Sequence, residues 1–500
     1  LGDVYKRQAF KFHSEGNIPE ASKYYQYFIN QGFEDHRVFS NYGSILQDIG
    51  KLQDAEKSYL KAIELNPNYA IAYSNLGNVC TELGKLEDAE KSYLKTITLK
   101  PDFAVAHCNL GNVVRDLGKL QDSEISYLKA IELNPNYSEA HYNLGITLRD
   151  LGKLEDAEKS YLKAITLKPD FAEAHSNLGV ILNNLGKLED AEKSYRKAIK
   201  LKPDYAEAHY NLGVILNDLG KLKDAEKSYR KAIKLNPNYV KAHSNLGNIL
   251  KEQGKLEDAE QSHLKTIELN PNFAEAHSNL GNILKDLGNL QDSEISYLKA
   301  IELNPNFAEA HSNLGVILND LGKLKDAEQS YRKAIEINPN LVRAYYLLSR
   351  IKYSDENKLW QDQIFSEDIL MNKSKKEKVD IYFARANILH KRKKYKESSS
   401  YLELANNLKL DIYPSNSDHL IKKSKKLFIE SDKKEIHIKE DKSFSENIFI
   451  LGMPRCGSTL VESILSMSDV VCDLGEINFF EESYNEYKNS KEDKNLAELY

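Results

Sequence analysis

Proline recurs every 34 residues through most of this sequence, and this spacing constrains the fold more than any other feature. The nine prolines of the series are Pro67, Pro101, Pro135, Pro169, Pro203, Pro237, Pro271, Pro305 and Pro339. Two glycine series share the same step, one from Gly43 to Gly315 and the other from Gly50 to Gly322. A fixed period of this length predicts a stack of similar units in which each unit contacts its neighbours. The sequence therefore predicts nine repeats over residues 36–341.

The repeat at residues 172–205 indicates what each unit folds into. Apolar residues recur at helical spacing over residues 173–184 and again over residues 188–201, which predicts two helices. Gly186 lies between them as a helix stop, since glycine adopts the left-handed conformation at little cost. Pro203 ends the second helix because it has no N–H group to continue the hydrogen-bond ladder. Each unit is therefore predicted to be a helical hairpin.

A further glycine lies inside the first helix, where it is unfavourable. Gly179 weakens that helix by about 1 kcal/mol relative to alanine. Ala191, Tyr195 and Ala198 line one face of the second helix. We interpret Gly179 as the point where the two helices approach closely. One such hairpin cannot bury its apolar face alone, so successive hairpins must stack.

This pattern of Leu-Gly, Gly, Ala, an aromatic residue, Ala and Pro resembles the tetratricopeptide repeat. The resemblance implies a mostly α protein, a right-handed α-solenoid of helical hairpins. Residues 9–35 resemble a degraded earlier repeat, and a weak repeat is expected near residues 379–412. Residues 1–8 resemble a translated sequencing adapter, so we leave them out of the predicted fold.

One polar residue recurs in every predicted first helix. Asn41 begins the column, and its predicted peptide-binding members are Asn75, Asn109, Asn143, Asn177, Asn211, Asn245, Asn279 and Asn313. An asparagine side chain offers a donor and an acceptor, so such a column can pair with the backbone of an extended peptide of any sequence. It resembles the asparagine ladder in the repeats of the animal O-linked N-acetylglucosamine transferase. Two interpretations stay open, namely a protein or peptide ligand in the concave groove and hydrogen bonds between neighbouring repeats.

Histidine also recurs in the first helices. The series is His107, His141, His175, His209, His243, His277 and His311. Such a column suggests a metal or pH-sensing site. Each histidine, however, occupies the position where the tetratricopeptide family usually has a large aromatic packing residue. We therefore expect these rings to pack in the core, and we predict no metal site.

Composition excludes several other classes of protein. With 69 Lys+Arg against 75 Asp+Glu, the net charge of −6 gives no global reason to expect nucleic-acid binding. At 41% hydrophobic residues the chain is too apolar to be disordered, and it has no apolar run long enough to span a membrane. Four cysteines without a disulfide or metal spacing favour a reducing compartment. We therefore expect a cytoplasmic protein, although a targeting signal before Leu1 would change that expectation.

Residues 342–445 are predicted to form a helical, basic connector. Residues 351–445 contain 21 Lys+Arg and 16 Asp+Glu, with clusters such as KSKKEK, KRKKYK and IKKSKK. Such clusters are compatible with an anionic surface or a nucleic acid as ligand. The simpler interpretation is that they are the solvated faces of helices, and we predict no nucleic-acid partner.

The composition changes again after residue 445. A short apolar run at residues 447–451 predicts a buried strand, and a glycine-bearing loop and a helical pattern follow it. This order of strand, loop and helix is typical of a phosphate site, in which the backbone N–H groups of the loop and the dipole of the helix bind the phosphate. Gly452 and Gly457 have the spacing of a Walker A loop, but Ser458 stands where that motif requires lysine. This substitution counts against an ATPase or a kinase.

The loop resembles the 5′-phosphosulfate-binding loop of sulfotransferases, above all the tyrosylprotein sulfotransferases and their bacterial relatives. The matching residues, and the predicted cofactor-binding set, are Pro454, Arg455, Cys456, Gly457, Ser458, Thr459 and Leu460. Cys456 replaces a serine of the family pattern, and Ser458 replaces a threonine. The resemblance implies the start of an α/β domain over residues 446–500, with 3′-phosphoadenylyl sulfate as co-substrate and no metal. It implies transfer of a sulfuryl group to a hydroxyl, with protein tyrosine as one candidate acceptor.

The resemblance also assigns catalytic roles to two residues. Glu476 falls where the family has its general base, and a carboxylate there can take the proton of the acceptor hydroxyl. Arg455 would stabilise charge on the leaving phosphate. The resemblance covers only about residues 446–500, so we expect an enzyme in the intact protein and an inactive fragment here. The alternative is a non-catalytic tetratricopeptide scaffold for protein–protein interaction; a glycosyltransferase would rest on the asparagines alone, and the loop argues against it.

Overall fold

A computed structural model describes residues 1–351 and 359–413, and these residues are almost entirely helical. They contain no β-strand, and they all belong to one compact unit, Leu1–Pro414. The predicted mostly α fold is confirmed for this part of the chain. The predicted strand at residues 447–451, the phosphate loop and Glu476 lie outside the described residues.

The repeat region forms nine helical hairpins. Their helices are α3 (His36–Asp48) and α4 (Leu52–Leu65), α5 (Ala70–Glu82) and α6 (Leu86–Leu99), α7 (Ala104–Asp116) and α8 (Leu120–Leu133), α9 (Ser138–Asp150) and α10 (Leu154–Leu167), α11 (Ala172–Asn184) and α12 (Leu188–Leu201), α13 (Ala206–Asp218) and α14 (Leu222–Leu235), α15 (Val240–Glu252) and α16 (Leu256–Leu269), α17 (Ala274–Asp286) and α18 (Leu290–Leu303), and α19 (Ala308–Asp320) and α20 (Leu324–Ile337). Each helix packs against the next helix along the chain, so the hairpins stack in sequence order. The solenoid of helical hairpins is thus present over residues 36–341.

Another hairpin precedes the repeats. It consists of α1 (Gly2–Ser14) and α2 (Ile18–Asn30), where residues 9–35 were expected to form a degraded repeat. Residues 2–8, which the prediction left out of the fold, are the first half of α1. Gly2 is buried against the ring of Phe33, so the hairpin begins before residue 9.

Helices of more variable length follow the repeats in the predicted connector. They are α21 (Val342–Arg350), α22 (Leu359–Phe365), a 3-10 turn (Glu367–Leu370), α23 (Lys375–Lys391) and α24 (Tyr395–Ile412). The pair α23 and α24 forms a hairpin at the place of the expected weak repeat. Arg385 is buried there, and its Nε and Nη2 donate to the carbonyl oxygens of Ile364 and Ser366 at 2.8 and 2.9 Å. This arginine is therefore a structural residue of the connector.

The contact between a glycine and a tyrosine joins the two helices of each repeat. An added Cβ at Gly179 would lie 2.8 Å from Cε1 of Tyr195, which is closer than van der Waals contact allows. Tyr195 is buried, with 2% of its side chain exposed. The equivalent distance to the facing ring is 3.0 Å or less at every repeat from Gly43 to Gly315. The predicted close approach is thus confirmed, and it explains why a helix-weakening residue lies mid-helix.

A second, surface contact joins neighbouring repeats. The lysine before a second helix pairs with a glutamate of the previous second helix at 2.7 to 2.8 Å. The pairs are Lys85–Glu56, Lys119–Glu90, Lys153–Glu124, Lys187–Glu158, Lys221–Glu192, Lys255–Glu226 and Lys323–Glu294. Exposed pairs of this kind contribute only about 0.2–1 kcal/mol each. Asn289 replaces the lysine between the seventh and eighth repeats, so Glu260 has no such partner there.

The seventh repeat also differs in its core. His263 occupies the place of the core tyrosine and is 0% exposed, and neither ring nitrogen has a hydrogen-bond partner among the residues that the structure describes. A buried polar group without a partner is costly. Burial lowers the pKa of His263 to about 4, because the charged ring would lose its hydration. The seventh repeat therefore carries a buried polar ring where the other eight repeats have a core tyrosine.

We predict that His263→Tyr stabilises the protein, and more strongly at low pH. Below pH 6.5 the unfolded chain protonates this histidine, while the folded chain keeps it neutral down to about pH 4. Protonation of His263 in the unfolded chain should therefore cost the folded protein nothing above pH 6.5 and about 2–3 kcal/mol of stability as the pH drops toward 4. Urea unfolding followed by circular dichroism at neutral and mildly acidic pH measures the difference.

His263→Phe is the control for this prediction. Phenylalanine does not titrate, so it should remove the same pH dependence. It lacks the hydroxyl that tyrosine would offer to Asn248, as Tyr93 does to Asn78 in the second repeat. A His263→Phe protein that loses stability with acid as steeply as the wild type would contradict burial as the cause.

Candidate functional site

The first helices of the repeats form one continuous inner surface. Successive first helices contact each other from α3 to α13 and again from α15 to α19, more extensively than successive second helices do. The first helices are thus closer together than the second helices, so the stack curves with the first helices on its inner side. A ligand that follows this side would cross one helix per repeat.

The predicted asparagine column lies on these first helices, and every member is half-buried. Several of its amide groups donate across the repeat boundary. Asn109 Nδ2 donates to Asn78 Oδ1 at 3.2 Å, and Asn143 Nδ2 donates to Asn112 Oδ1 at 3.1 Å. Asn279 makes the same bond to Asn248 at 3.2 Å. These asparagines therefore connect neighbouring repeats, as one of the two interpretations proposed.

Two other members of the column donate to tyrosine. Asn177 Nδ2 lies 3.1 Å from the hydroxyl of Tyr142 in the previous repeat. Asn245 Nδ2 lies 3.3 Å from the hydroxyl of Tyr210 and 3.4 Å from that of Tyr229. Asn41, which begins the column, donates to Tyr25 at 3.2 Å. The hydrogen-bond acceptor differs between repeats, but in each case the asparagine amide nitrogen connects its repeat to the previous hairpin.

Three members have no side-chain hydrogen bond to the described residues. They are Asn75, Asn211 and Asn313. In the repeat before Asn211, Ser176 and Val180 occupy the places of the tyrosine and asparagine partners, and neither offers a matching acceptor in reach. The carboxamides of these three residues are therefore available to a ligand.

The asparagine that follows the mid-helix glycine is a residue that sequence reasoning missed. Asn78 accepts from the hydroxyl of Tyr93 at 2.6 Å and from Asn109, so it links the core tyrosine to the column. Burial raises the pKa of Tyr93 to about 12, which keeps its hydroxyl protonated as a donor. Tyr127 donates to Asn112 in the same way at 2.5 Å. The sequence could have pointed to this residue, because an asparagine directly follows the mid-helix glycine in four repeats.

The histidine column lies at the turns between repeats. Each Nε2 is 3.0 to 3.2 Å from the carbonyl oxygen of the proline six residues earlier, as in the pair His175 and Pro169. Burial lowers the pKa of His175, and its hydrogen bond to Pro169 offsets part of that effect. A neutral ring donates one N–H to this carbonyl and fixes the turn. Among residues 1–351 and 359–413, no three potential ligands are placed to hold a metal ion.

Acidic side chains lie near the ends of the same helices. Asp or Glu follows the column by seven residues at Asp48, Glu82, Asp116, Asp150, Asp218, Glu252, Asp286 and Asp320. Some of them pair with a cation, as Asp116 does with Arg115 at 3.2 Å and Asp150 with Arg149 at 2.9 Å. The inner surface therefore combines amide groups with a row of carboxylates.

The predicted chemistry of the C-terminal segment lies beyond the part of the chain that the structure describes. Arg455, Glu476 and the loop at residues 454–460 belong to it. Their predicted roles as catalytic and 3′-phosphoadenylyl-sulfate-binding residues stay predictions.

Comparison with protein-family models identifies the repeats. Models match the TPR repeat at residues 43–80, the C-terminal domain of cilia and flagella-associated protein 70 at residues 70–279, and the tetratricopeptide repeat at residues 274–307 and 308–341. Together they extend over residues 43–341 without a gap. The prediction of a tetratricopeptide-repeat protein is confirmed.

Several solved structures are similar to the repeat region. YrrB, described as a TPR protein with an unusual peptide-binding site, is 28% identical, covers 37% of this chain and 96% of its own, and has a TM-score of 0.34. MamA from Desulfovibrio magneticus RS-1 is 22% identical, with coverages of 34% and 96% and a TM-score of 0.33. PilF from Pseudomonas aeruginosa is 20% identical, with coverages of 40% and 92% and a TM-score of 0.37.

Two further findings concern curated relatives and membrane-spanning helices. A search of curated proteins found no match. None of the helices within residues 1–351 and 359–413 combines the length and apolarity needed to cross a bilayer.

Column asparagines that bond to a neighbouring repeat and those that do not should differ in their effect on stability. Asn109→Ala removes a hydrogen bond between repeats, so we expect the free energy of unfolding to fall by about 1 kcal/mol. Asn211→Ala removes no such bond and should change it by less than about 0.5 kcal/mol. Urea denaturation of both variants measures this difference, and equal losses would contradict the assignment of Asn211 as unengaged.

Proposed function

We propose that this chain is an interaction scaffold whose first-helix surface binds an extended segment of another protein. The observation that carries the proposal is the column of half-buried asparagines along adjoining first helices. At Asn75, Asn211 and Asn313 the carboxamide makes no side-chain hydrogen bond to the described residues. A carboxamide both donates and accepts, so it can pair with a peptide group whatever the neighbouring side chain.

The engaged asparagines contribute in a different way. Asn109, Asn143 and Asn279 use Nδ2 within the protein, which leaves their Oδ1 atoms as acceptors for peptide N–H groups. Because these amides are held by neighbouring repeats, their acceptors are fixed before a ligand arrives. A fixed acceptor costs less side-chain entropy on binding than a mobile one.

Charge on the same helices narrows the class of ligand. Carboxylates follow the column in eight repeats, and further ones precede it at Glu139, Glu173, Glu207, Glu275 and Glu309. An acidic peptide would be repelled there, whereas a neutral or basic one would be attracted. The proposed ligand is therefore an extended segment without a strong negative charge.

Removing the unengaged carboxamides tests this proposal. Peptides from a displayed random library would be selected on the full chain, and their affinities measured by calorimetry. We expect Asn75→Ala, Asn211→Ala and Asn313→Ala combined to weaken binding of the selected peptides by at least about ten-fold, or about 1.4 kcal/mol. The fold should be retained, because these substitutions break no bond between repeats.

A matched triple variant is the control for that experiment. Asn136, Asn238 and Asn306 are exposed asparagines in the turns between repeats, away from the first-helix surface. Their combined replacement by alanine should leave peptide affinity unchanged. Failure to select any peptide, or equal losses in the two triple variants, would refute the groove as the binding site.

A second proposed function is sulfuryl transfer by the C-terminal segment. The observation in its favour is the residue order Pro454, Arg455, Cys456, Gly457, Ser458, after an apolar run and before Glu476. In this proposal 3′-phosphoadenylyl sulfate is the donor, Arg455 stabilises the leaving phosphate and Glu476 takes the acceptor proton. The repeats would then recruit the protein that carries the acceptor hydroxyl, with tyrosine as the first candidate.

Transfer of labelled sulfate from 3′-phosphoadenylyl sulfate to protein acceptors tests the second function. The assay needs the full-length gene product, because the resemblance covers only about residues 446–500. We expect Arg455→Ala and Glu476→Gln each to reduce the rate by at least about a hundred-fold, as loss of an electrostatic or acid–base group does. The exposed substitution Lys95→Glu on α6 is the control. Full activity in both loop variants would refute the assigned roles, and a wild-type protein without transfer leaves the scaffold as the function.

A further inference from the structure

A cleft with a basic lining lies on the second-helix side of the fifth and sixth repeats. It has a volume of about 360 Å³ between α12 and the hairpin of α13 and α14. Arg196, Lys200, Lys227 and Lys231 line it and are all exposed. Ile199 and Leu212 also line it, and Leu212 is buried. We call this feature the basic cleft.

Two of its four cations lack a compensating charge. Arg196 pairs with Glu192 at 2.8 Å, and Lys227 pairs with Asp224 at 3.1 Å, both within one helix. Lys200 and Lys231 form no ion pair with any of the described residues. The basic cleft therefore keeps a net positive charge that the described part of the chain does not neutralise.

Two of the four cations depart from the usual residues of the repeat. Three repeats earlier, the residues equivalent to the four cations are Leu94, Thr98, Ile125 and Lys129. Two repeats later, they are Leu264, Glu268, Ile295 and Lys299. The position of Lys231 is lysine in all nine repeats, and the next boundary also carries Arg230, Lys234 and Lys265, but most repeats have Leu in place of Arg196 and Glu or Thr in place of Lys200. Because the backbone repeats every 34 residues, the repeat fold does not require Arg196 and Lys200, and their presence at this cleft points to a ligand.

Among the second helices of the repeats, the excess of positive charge lies on two neighbouring helices. α14 carries five Lys or Arg and two Asp or Glu, and α12 carries four Lys or Arg and three Asp or Glu. The next second helix, α16, carries one Lys and four Asp or Glu. On the other side, α10 carries two Lys and three Asp or Glu. A long polyanion such as a nucleic acid would run from the cleft onto acidic helices. The charge pattern therefore favours a short anionic segment.

The apolar part of the lining distinguishes between short anions. Inorganic phosphate has no apolar group that could pack against Ile199 and Leu212, whereas a peptide can place an apolar side chain there. We propose that the basic cleft binds a short acidic segment of a partner protein, in which an apolar residue lies between carboxylates. The apolar side chain covers Ile199 and Leu212, and the flanking carboxylates meet Lys200 and Lys231. All four cations of the basic cleft lie on second helices, so the site is distinct from the asparagine column of the first helices.

Charge reversal tests the proposal with the full chain. The probe is a short fluorescein-labelled peptide with one phenylalanine flanked on both sides by glutamates, and binding is followed by fluorescence anisotropy. We expect Lys200→Glu combined with Lys231→Glu to weaken binding at least ten-fold. Glutamate already occupies the position of Lys200 in the seventh repeat, as Glu268, so the fold should be retained.

A matched variant places the same change elsewhere. Lys95→Glu combined with Lys163→Glu reverses two exposed second-helix lysines outside the basic cleft and alters the net charge equally. This protein should bind the probe within about two-fold of the wild type. Equal weakening by the two double variants would show a general charge effect and overturn the site.

Two further measurements separate the ligand classes. A peptide with glutamine in place of phenylalanine should bind several-fold more weakly, and equal binding would overturn the apolar contact. Oligothymidylate should not displace the peptide at equal concentration, and displacement would assign the basic cleft to nucleic acid instead. Arg196→Leu, which introduces the residue of six other repeats, should weaken binding of the peptide several-fold while circular dichroism stays unchanged.

Discussion

The contact between the mid-helix glycine and the core tyrosine is the interaction on which the rest of this structure depends. Because any Cβ at Gly179 would overlap the ring of Tyr195, the two helices of the repeat reach this distance only with glycine. That distance sets the shape of one hairpin, and the 34-residue period copies it nine times. Where His263 replaces the tyrosine, two buried ring nitrogens have no hydrogen-bond partner among the described residues.

Neighbouring hairpins are connected by polar groups on both sides of that packing. On the inner side, column asparagines donate to an asparagine or a tyrosine of the previous repeat. On the outer side, lysine and glutamate pair between second helices. A repeat array needs such contacts because each unit touches only its neighbours. The same polar groups that stabilise the stack also give its surfaces their recognition chemistry.

The two surfaces differ in the ligand they favour. The inner surface offers carboxamides beside carboxylates, which suits a neutral or basic segment. The basic cleft offers cations beside Ile199 and Leu212, which suits an acidic segment with an apolar residue. The column asparagines recur in every repeat, whereas Arg196 and Lys200 replace the Leu and the Glu or Thr of most other repeats. Lys200 thus says more about partners than the glycines do.

The sequence by itself determined the repeat, its two helices and the role of both glycine series, because a fixed period and helical spacing follow from backbone geometry alone. It also pointed to the asparagine column, and it alone supports the predicted sulfotransferase loop. Only the tertiary structure decided which asparagines are engaged, that His175 fixes a turn, and that Arg196, Lys200, Lys227 and Lys231 line one cleft. The asparagine bonds and the cleft depend on contacts between residues about 30 positions apart, which no local pattern specifies, and the bond from His175 to Pro169 depends on the geometry of the turn.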